Sequence, residues 1–345
     1  MKAVRFHGPG TPLSLEEVPD PSPGPQEVVV RVEACGVCAS DLHFIHGELP
    51  LPALAPLTLG HEPSGVIAAV GSEVPFWREG TRVAMFAGRP CLRCRFCAAG
   101  LIEECVDPQV MGAHFDGAWA EYVTVPWFAL AELPDGLPFE HGAIACDAVS
   151  TPYAALIDRG ALRPGERVGL WGIGGLGTHA VQVARLAGAS FVTAVDPLEG
   201  ARARALALGA DLALDPADDV PNAIRDATSG RGLDLAADLV GKTSVLRQAM
   251  VSMARGGRVV VVGQSLEAAD PGPIVALSFL GIGIPGHLGY RKQHLEEVLA
   301  LMAPGRLDVS GSISGIYPLE AASEAVRRLA SKEDAPVRLI LSPRA

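Results

Sequence analysis

The chain has 345 residues, 49% of them apolar and 19% charged, which leaves room for two domains and excludes a mini-protein. Its 28 basic against 39 acidic residues give a formal charge of -11 with no basic block to track a phosphate backbone, so nucleic acid is not an expected partner. The opening MKAVRFHGPG carries charge early and has no apolar core of signal-peptide length, and no window approaches about 18 uninterrupted apolar residues. A cytoplasmic protein, neither exported nor membrane-bound, is expected.

From residue 27 to about 130, short β-branched runs (EVVVRVEA, SGVIAAVG, TRVAMF, AEYVTV) alternate with Gly and Pro, which predicts an irregular, strand-rich region. From about Ala155 the pattern changes to the strand candidates RVGLW, FVTAV, LDLAADLV and GRVVVVG, separated by Ala-rich stretches of helical period. Strands alternating with helices predict a parallel, doubly wound α/β sheet. After about His287 come a helical run at His294 to Met302, the strand-like SGSISGIY, a helix opening near Pro318, and VRLILS; pattern alone assigns this tail to neither region.

Four of the seven cysteines lie between Cys91 and Cys105, spaced Cys91-x2-Cys94-x2-Cys97-x7-Cys105. With no export signal, this reads as metal binding rather than disulfides. Tetrahedral sulfur ligation of a structural zinc fits best. An iron-sulfur site would prefer the fourth cysteine three residues after the third and before Pro, whereas here Val106 follows Cys105.

Strand RVGLW runs into Gly172-x-Gly174-Gly175-Leu176-Gly177, a helical THAVQVARLAGA follows, and Asp196 ends the next strand candidate. Glycines in this context admit a pyrophosphate to a helix N-terminus, and the acid reads the ribose hydroxyls, favouring NAD over NADP. Three further segments carry chemistry-bearing residues: Cys35-Gly-Val-Cys38-Ala-Ser40-Asp41-Leu-His43, Gly60-His61-Glu62, and Cys146-Asp147 four residues before Thr151.

In this order, these motifs closely resemble the zinc-dependent alcohol dehydrogenases of the medium-chain dehydrogenase/reductase superfamily, over essentially the whole chain. The resemblance implies a GroES-like, β-rich catalytic domain of residues 1–154 and 290–345, with the cysteine lobe at about 88–110, and a Rossmann domain of residues 155–289. It implies two zincs per subunit. Cys38 and His61 would ligate the catalytic one, with Asp147 third, selected by its distance from Thr151, which would border the nicotinamide; Cys146 is the rival. Glu62 would approach the metal from behind, Asp41 would orient a ligand histidine, and Ser40 and His43 would relay the proton.

The implied reaction interconverts an alcohol and its aldehyde or ketone by hydride transfer to or from NAD. Reduction of an activated C=C or iminium bond is the alternative, and a redox-silent cofactor-binding protein a lesser one. Ala39 stands where many relatives carry Arg or His for the pyrophosphate, which predicts weaker cofactor binding. The apolar residues Phe44, Leu49, Leu57, Phe86, Phe115 and Trp119 are candidate pocket walls and predict a neutral, fairly apolar substrate. A homodimer or homotetramer is expected, with SFLGIGIPGHLG a candidate contact.

Overall fold

The β-branched run EVVVRVEACGV forms an eleven-residue strand, Glu27–Val37, in which Val28, Val30, Val32 and Val37 are fully buried. Each such side chain contributes roughly 1.5–3 kcal/mol by leaving water. The computed structural model describes residues 1–345 apart from the side chain of Glu103. The chain divides into two units, Met1–Ser150 with Tyr290–Ala345, and Thr151–Gly289.

In the first unit, Glu27–Val37 is central to a seven-stranded sheet in the order Leu130–Glu132, Arg82–Met85, Pro63–Val70, Glu27–Val37, Arg338–Leu341, Ile313–Tyr317, with Tyr122–Pro126 also paired to Glu27–Val37. The tail left unassigned by pattern supplies two of these strands. Arg338–Leu341 runs antiparallel to Glu27–Val37 with Leu339 opposite Val37, so Arg338 and Cys38 are the next residues out. A three-stranded sheet joins Ser14–Glu17, Lys2–Phe6 and Leu57–Thr58.

The second unit holds five parallel strands in the order Leu212–Leu214, Phe191–Val195, Arg167–Trp171, Leu233–Asp238, Met253–Val261. Bridges from Arg258 to Gly283 and Val261 to Gly286 extend it by a further parallel segment. The strand order reverses between Arg167–Trp171 and Leu233–Asp238, the switch point where doubly wound sheets take ligands. Helices Gly175–Leu186, Glu199–Ala207, Val220–Ala227 and Thr243–Val251 connect the strands. No helix among the described residues is long and apolar enough to cross a membrane.

Candidate active site and metal centres

Three pieces of the first unit converge on one buried cluster. Cys38 follows the strand Glu27–Val37 and precedes the helix Ala39–His46; Asp41 in its first turn, fully buried, accepts the Cys38 amide at 2.9 Å. His61 and Glu62 follow Gly60, whose φ of +93° only glycine adopts easily and where a Cβ would lie 2.2 Å from the Trp119 ring. Gly36 is also required, since a Cβ there would lie 2.0 Å from the Glu62 carboxylate. Asp147 lies in a π-helical turn, Ala145–Val149, between the helices Phe139–Ile144 and Ser150–Tyr153. Such turns are frequent at functional sites.

Donor atoms of Cys38, His61, Glu62 and Asp147 lie within 4.8 Å of one another. The Cys38 thiol donates to Asp147 Oδ2 at 3.6 Å, His61 Nε2 is 3.9 Å from that oxygen, and His61 Nδ1 faces Asp41 Oδ1 at 3.5 Å. Nδ1 is thus turned to the supporting carboxylate and Nε2 to the cluster, the usual division for a metal-bound imidazole. Ser40 Oγ is 3.4 Å from Nε2. His43 lies on the same helix, and its Nδ1 contacts Glu48 Oε2 at 2.5 Å.

Cys146 sits elsewhere despite its adjacency to Asp147. Its fully buried thiol donates to the Pro63 and Gly142 carbonyls, both at 3.1 Å, and burial raises its pKa far above the ordinary thiol value. Successive residues of a helix point about 100° apart, which carries the two side chains to different sides.

Arg338 was not singled out from sequence. Its guanidinium, 2% exposed, lies 2.8 Å from Glu62 Oε1 and 3.5 Å from Asp147 Oδ2, and 3.8 Å from the Cys38 sulfur. The available signal was a single charge inside an otherwise apolar strand, VRLIL. Burial, reinforced by the Asp147 and Asp41 carboxylates, pushes Glu62 up to about 8 against the pull of Arg338. Although burial opposes it, the imidazole of His61 is held well above its ordinary pKa by Asp41 and Cys38. The cluster therefore favours positive charge, and a thiolate, an imidazole and a carboxylate form a donor set suited to zinc.

The four lobe cysteines also lie with their sulfurs within 4.8 Å of one another. Cys94 caps the short helix Arg95–Ala98 and accepts the Cys97 amide at 3.5 Å; the Cys97 and Val106 amides lower its pKa to about 6. The Cys105 sulfur accepts the Cys91 amide at 3.2 Å. Backbone donors aimed at sulfur stabilise thiolates, the form that binds metal. All seven cysteines are free.

In the second unit, Gly172 ends its strand at φ +90° and Gly174 caps the helix Gly175–Leu186, with open space where its Cβ would be. At Gly177 a Cβ would lie 1.9 Å from the Gly172 carbonyl oxygen, so helix and strand approach closely only without a side chain. Leu176 occupies the first helical turn. The Asp196 carboxylate accepts the Ile173 amide at 2.7 Å and the Leu198 amide at 2.9 Å, which ties it to the glycine turn. Thr151 is buried in the short helix Ser150–Tyr153.

Three of the expected pocket walls serve otherwise. Trp119 is fully buried and donates to the Gly36 carbonyl at 3.4 Å, Leu57 belongs to the core, and the Phe115 ring lies under Arg89.

The alcohol dehydrogenase GroES-like domain matches residues 24–135 and the zinc-binding dehydrogenase domain residues 175–304. An alcohol dehydrogenase of Geobacillus stearothermophilus is 36% identical, over 95% of this chain and 96% of its own. The chain belongs to the zinc-type medium-chain alcohol dehydrogenases. An NAD-dependent alcohol dehydrogenase of Sulfurisphaera tokodaii is 32% identical, over 95% of this chain and 96% of its own. The solved structure of an alcohol dehydrogenase from a Thermus species superposes with a TM-score of 0.92 at 32% identity, over 99% of both chains. Zinc and NAD are the cofactors of this family member, and its folds are the GroES-like and Rossmann types.

Proposed function

We propose that this chain interconverts an alcohol and its aldehyde or ketone with NAD, using a catalytic zinc at Cys38, His61 and Asp147. The observation that carries this reading is the convergence of those three donors with Arg338, Glu62 and Asp41 sealed around them. When bound, zinc supplies Lewis acidity that lowers the pKa of the substrate hydroxyl, and NAD takes up the hydride.

The side chains have distinct tasks. Asp41 orients His61 through Nδ1, and Arg338 balances the charge of Glu62 behind the site. Ser40, whose hydroxyl is already beside His61 Nε2, accepts the substrate proton. His43 is the outer station of the relay, with Glu48 holding its Nδ1 and leaving Nε2 for exchange. Glu48 thereby joins the relay. Cys91, Cys94, Cys97 and Cys105 hold a second, structural zinc with no open position.

The glycine turn Gly172, Gly174, Gly175, Leu176, Gly177 takes the NAD pyrophosphate at the helix N-terminus, Asp196 reads the ribose, and Thr151 borders the nicotinamide. The protein works in the cytoplasm as a homodimer or homotetramer. Support for assembly comes from the helix Ile274–Leu280, which buries none of its residues and exposes Ile274, Val275 and Phe279, with Leu288 exposed beyond it.

Reduction of NAD by a panel of primary and secondary alcohols, before and after mild chelation, tests the reading. Chelator-sensitive oxidation supports it; reduction of C=C or iminium substrates alone would replace it.

A further inference from the structure

Asp196 and Asp215 leave neighbouring parallel strands at the same end of the sheet. Val195 lies opposite Leu214, and the Asp196 amide donates to the Leu214 carbonyl at 3.1 Å, so the two acids are the next residues out. Arg202, on the helix Glu199–Ala207, touches both. Its Nη1 donates to the Asp196 carbonyl at 2.7 Å, the Pro197 carbonyl at 2.9 Å and Asp215 Oδ2 at 2.8 Å. All three contacts use one nitrogen; Nε and Nη2 have no hydrogen-bond partner among the described residues and are not sealed from solvent. Arg204, in contrast, is committed to the glycine turn and its helix, donating to the Ile173 carbonyl at 2.8 Å and Thr178 Oγ1 at 3.1 Å. Asp215 is held in place. Its Oδ1 accepts the Ala217 amide at 2.9 Å, and the adjoining Pro216 carbonyl accepts Gln248 Nε2 at 3.0 Å. Gln248 Oε1 in turn accepts the Trp171 indole at 2.9 Å, at the strand end that precedes the glycine turn. A guanidinium with a free edge suits a phosphate, which arginine binds through two parallel N–H groups. Here its charge is met by Asp215.

Resting on the assignment of Asp196 to the ribose, we infer that Asp215 is a second specificity-determining residue for the cofactor. By pairing with Arg202 it neutralises the cation best placed to receive the adenosine 2'-phosphate of NADP. Preference for NAD is then set by two carboxylates, one that meets the ribose and one that masks a phosphate site beside it. Discrimination built in this way works by leaving the wrong ligand's charge without a partner.

The test is calorimetric titration of the zinc-loaded protein with NADH and with NADPH, a readout that needs no turnover. Asp215→Asn keeps an oxygen for the Ala217 amide and puts an amide nitrogen in place of the oxygen that holds Arg202. Alone or added to Asp196→Ser, it should tighten NADPH about tenfold, the worth of one charge-assisted hydrogen bond, and leave NADH affinity nearly unchanged. Arg202→Gln introduced with it should remove the gain. Asp215→Ser, which also offers a turn oxygen, takes its place if the asparagine variant fails to fold. No gain in either background overturns the inference, and so does a gain that survives Arg202→Gln or that NADH shares equally. The assignment of Asp196 fails separately, if Asp196→Ser alone leaves the ratio of NADPH to NADH affinity unchanged. Asp215→Asn in the otherwise wild-type chain then decides: an Arg202-dependent gain for NADPH sustains the masked site, and its absence ends it. Binding of neither nucleotide by the wild type would overturn both.

Discussion

Arg338 and Glu62 face each other at 2.8 Å with side chains 2% and 0% exposed, joining the C-terminal strand to the segment that carries His61. A buried ion pair contributes little net stability against an apolar substitute, but removing one partner strands the other. Arg338→Met should therefore destabilise the fold most above about pH 8, where Glu62 is left ionised without its partner, and Glu62→Gln added to it should recover that part. Thermal melts of the two variants check this; equal losses in single and double variants would show that the pairing carries no weight.

The third zinc ligand is distinguished by composition as well as activity. Asp147→Ala should lower zinc content by one per subunit, whereas Cys146→Ala, which removes a thiol bonded only to carbonyls and a backbone amide, should keep both zincs at a stability cost of about 1 kcal/mol. Elemental analysis of the purified variants decides, and the reverse pattern transfers the role to Cys146.

Cofactor choice rests on Asp196, whose carboxylate is oriented by the Ile173 and Leu198 amides. Asp196→Ser should raise the NADP-to-NAD ratio of kcat/KM by about tenfold or more, since a repelling charge worth at least 1.4 kcal/mol is removed. Steady-state kinetics with both cofactors measures it. Unaltered discrimination would mean that the ribose is read elsewhere.

A pH dependence follows from Arg167 and Asp234, which join neighbouring strands of the parallel sheet through contacts of 2.6 and 2.8 Å. Burial alone would raise the Asp234 carboxyl, but the Arg167 side chain and amide outweigh it and hold the pKa below its ordinary value. A depressed folded-state pKa contributes stability that is present above the unfolded value and lost as pH falls through the folded one. The penalty for Arg167→Met should thus be full near pH 7 and shrink below about pH 4. Melts across that range test the sign, and a penalty growing toward acid would contradict it.

Local sequence carried most of the strands and both cysteine motifs because each is announced by period, spacing or a flanking turn. The RVGLW strand, the glycine turn and Asp196 are of this kind. Arg338 was not legible, because its role depends on a strand 300 residues away pairing beside Cys38, and a lone arginine in an apolar strand does not name its partners. Glu48 was missed because it reads as a solvated loop acid until His43 is seen beside it. Trp119 and Leu57 were read as pocket walls since apolar side chains near metal motifs do not reveal which face they take; close packing against Gly60 and Gly36 draws Trp119 inward.

The most direct measurement is zinc per subunit in wild type, His61→Ala and Cys94→Ser, read beside alcohol-dependent NAD reduction. Two zincs and activity are expected in wild type, one zinc with fold retained and turnover abolished in His61→Ala, and impaired folding in Cys94→Ser. A single zinc in active wild-type protein, kept in His61→Ala, would contradict a catalytic metal at Cys38, His61 and Asp147.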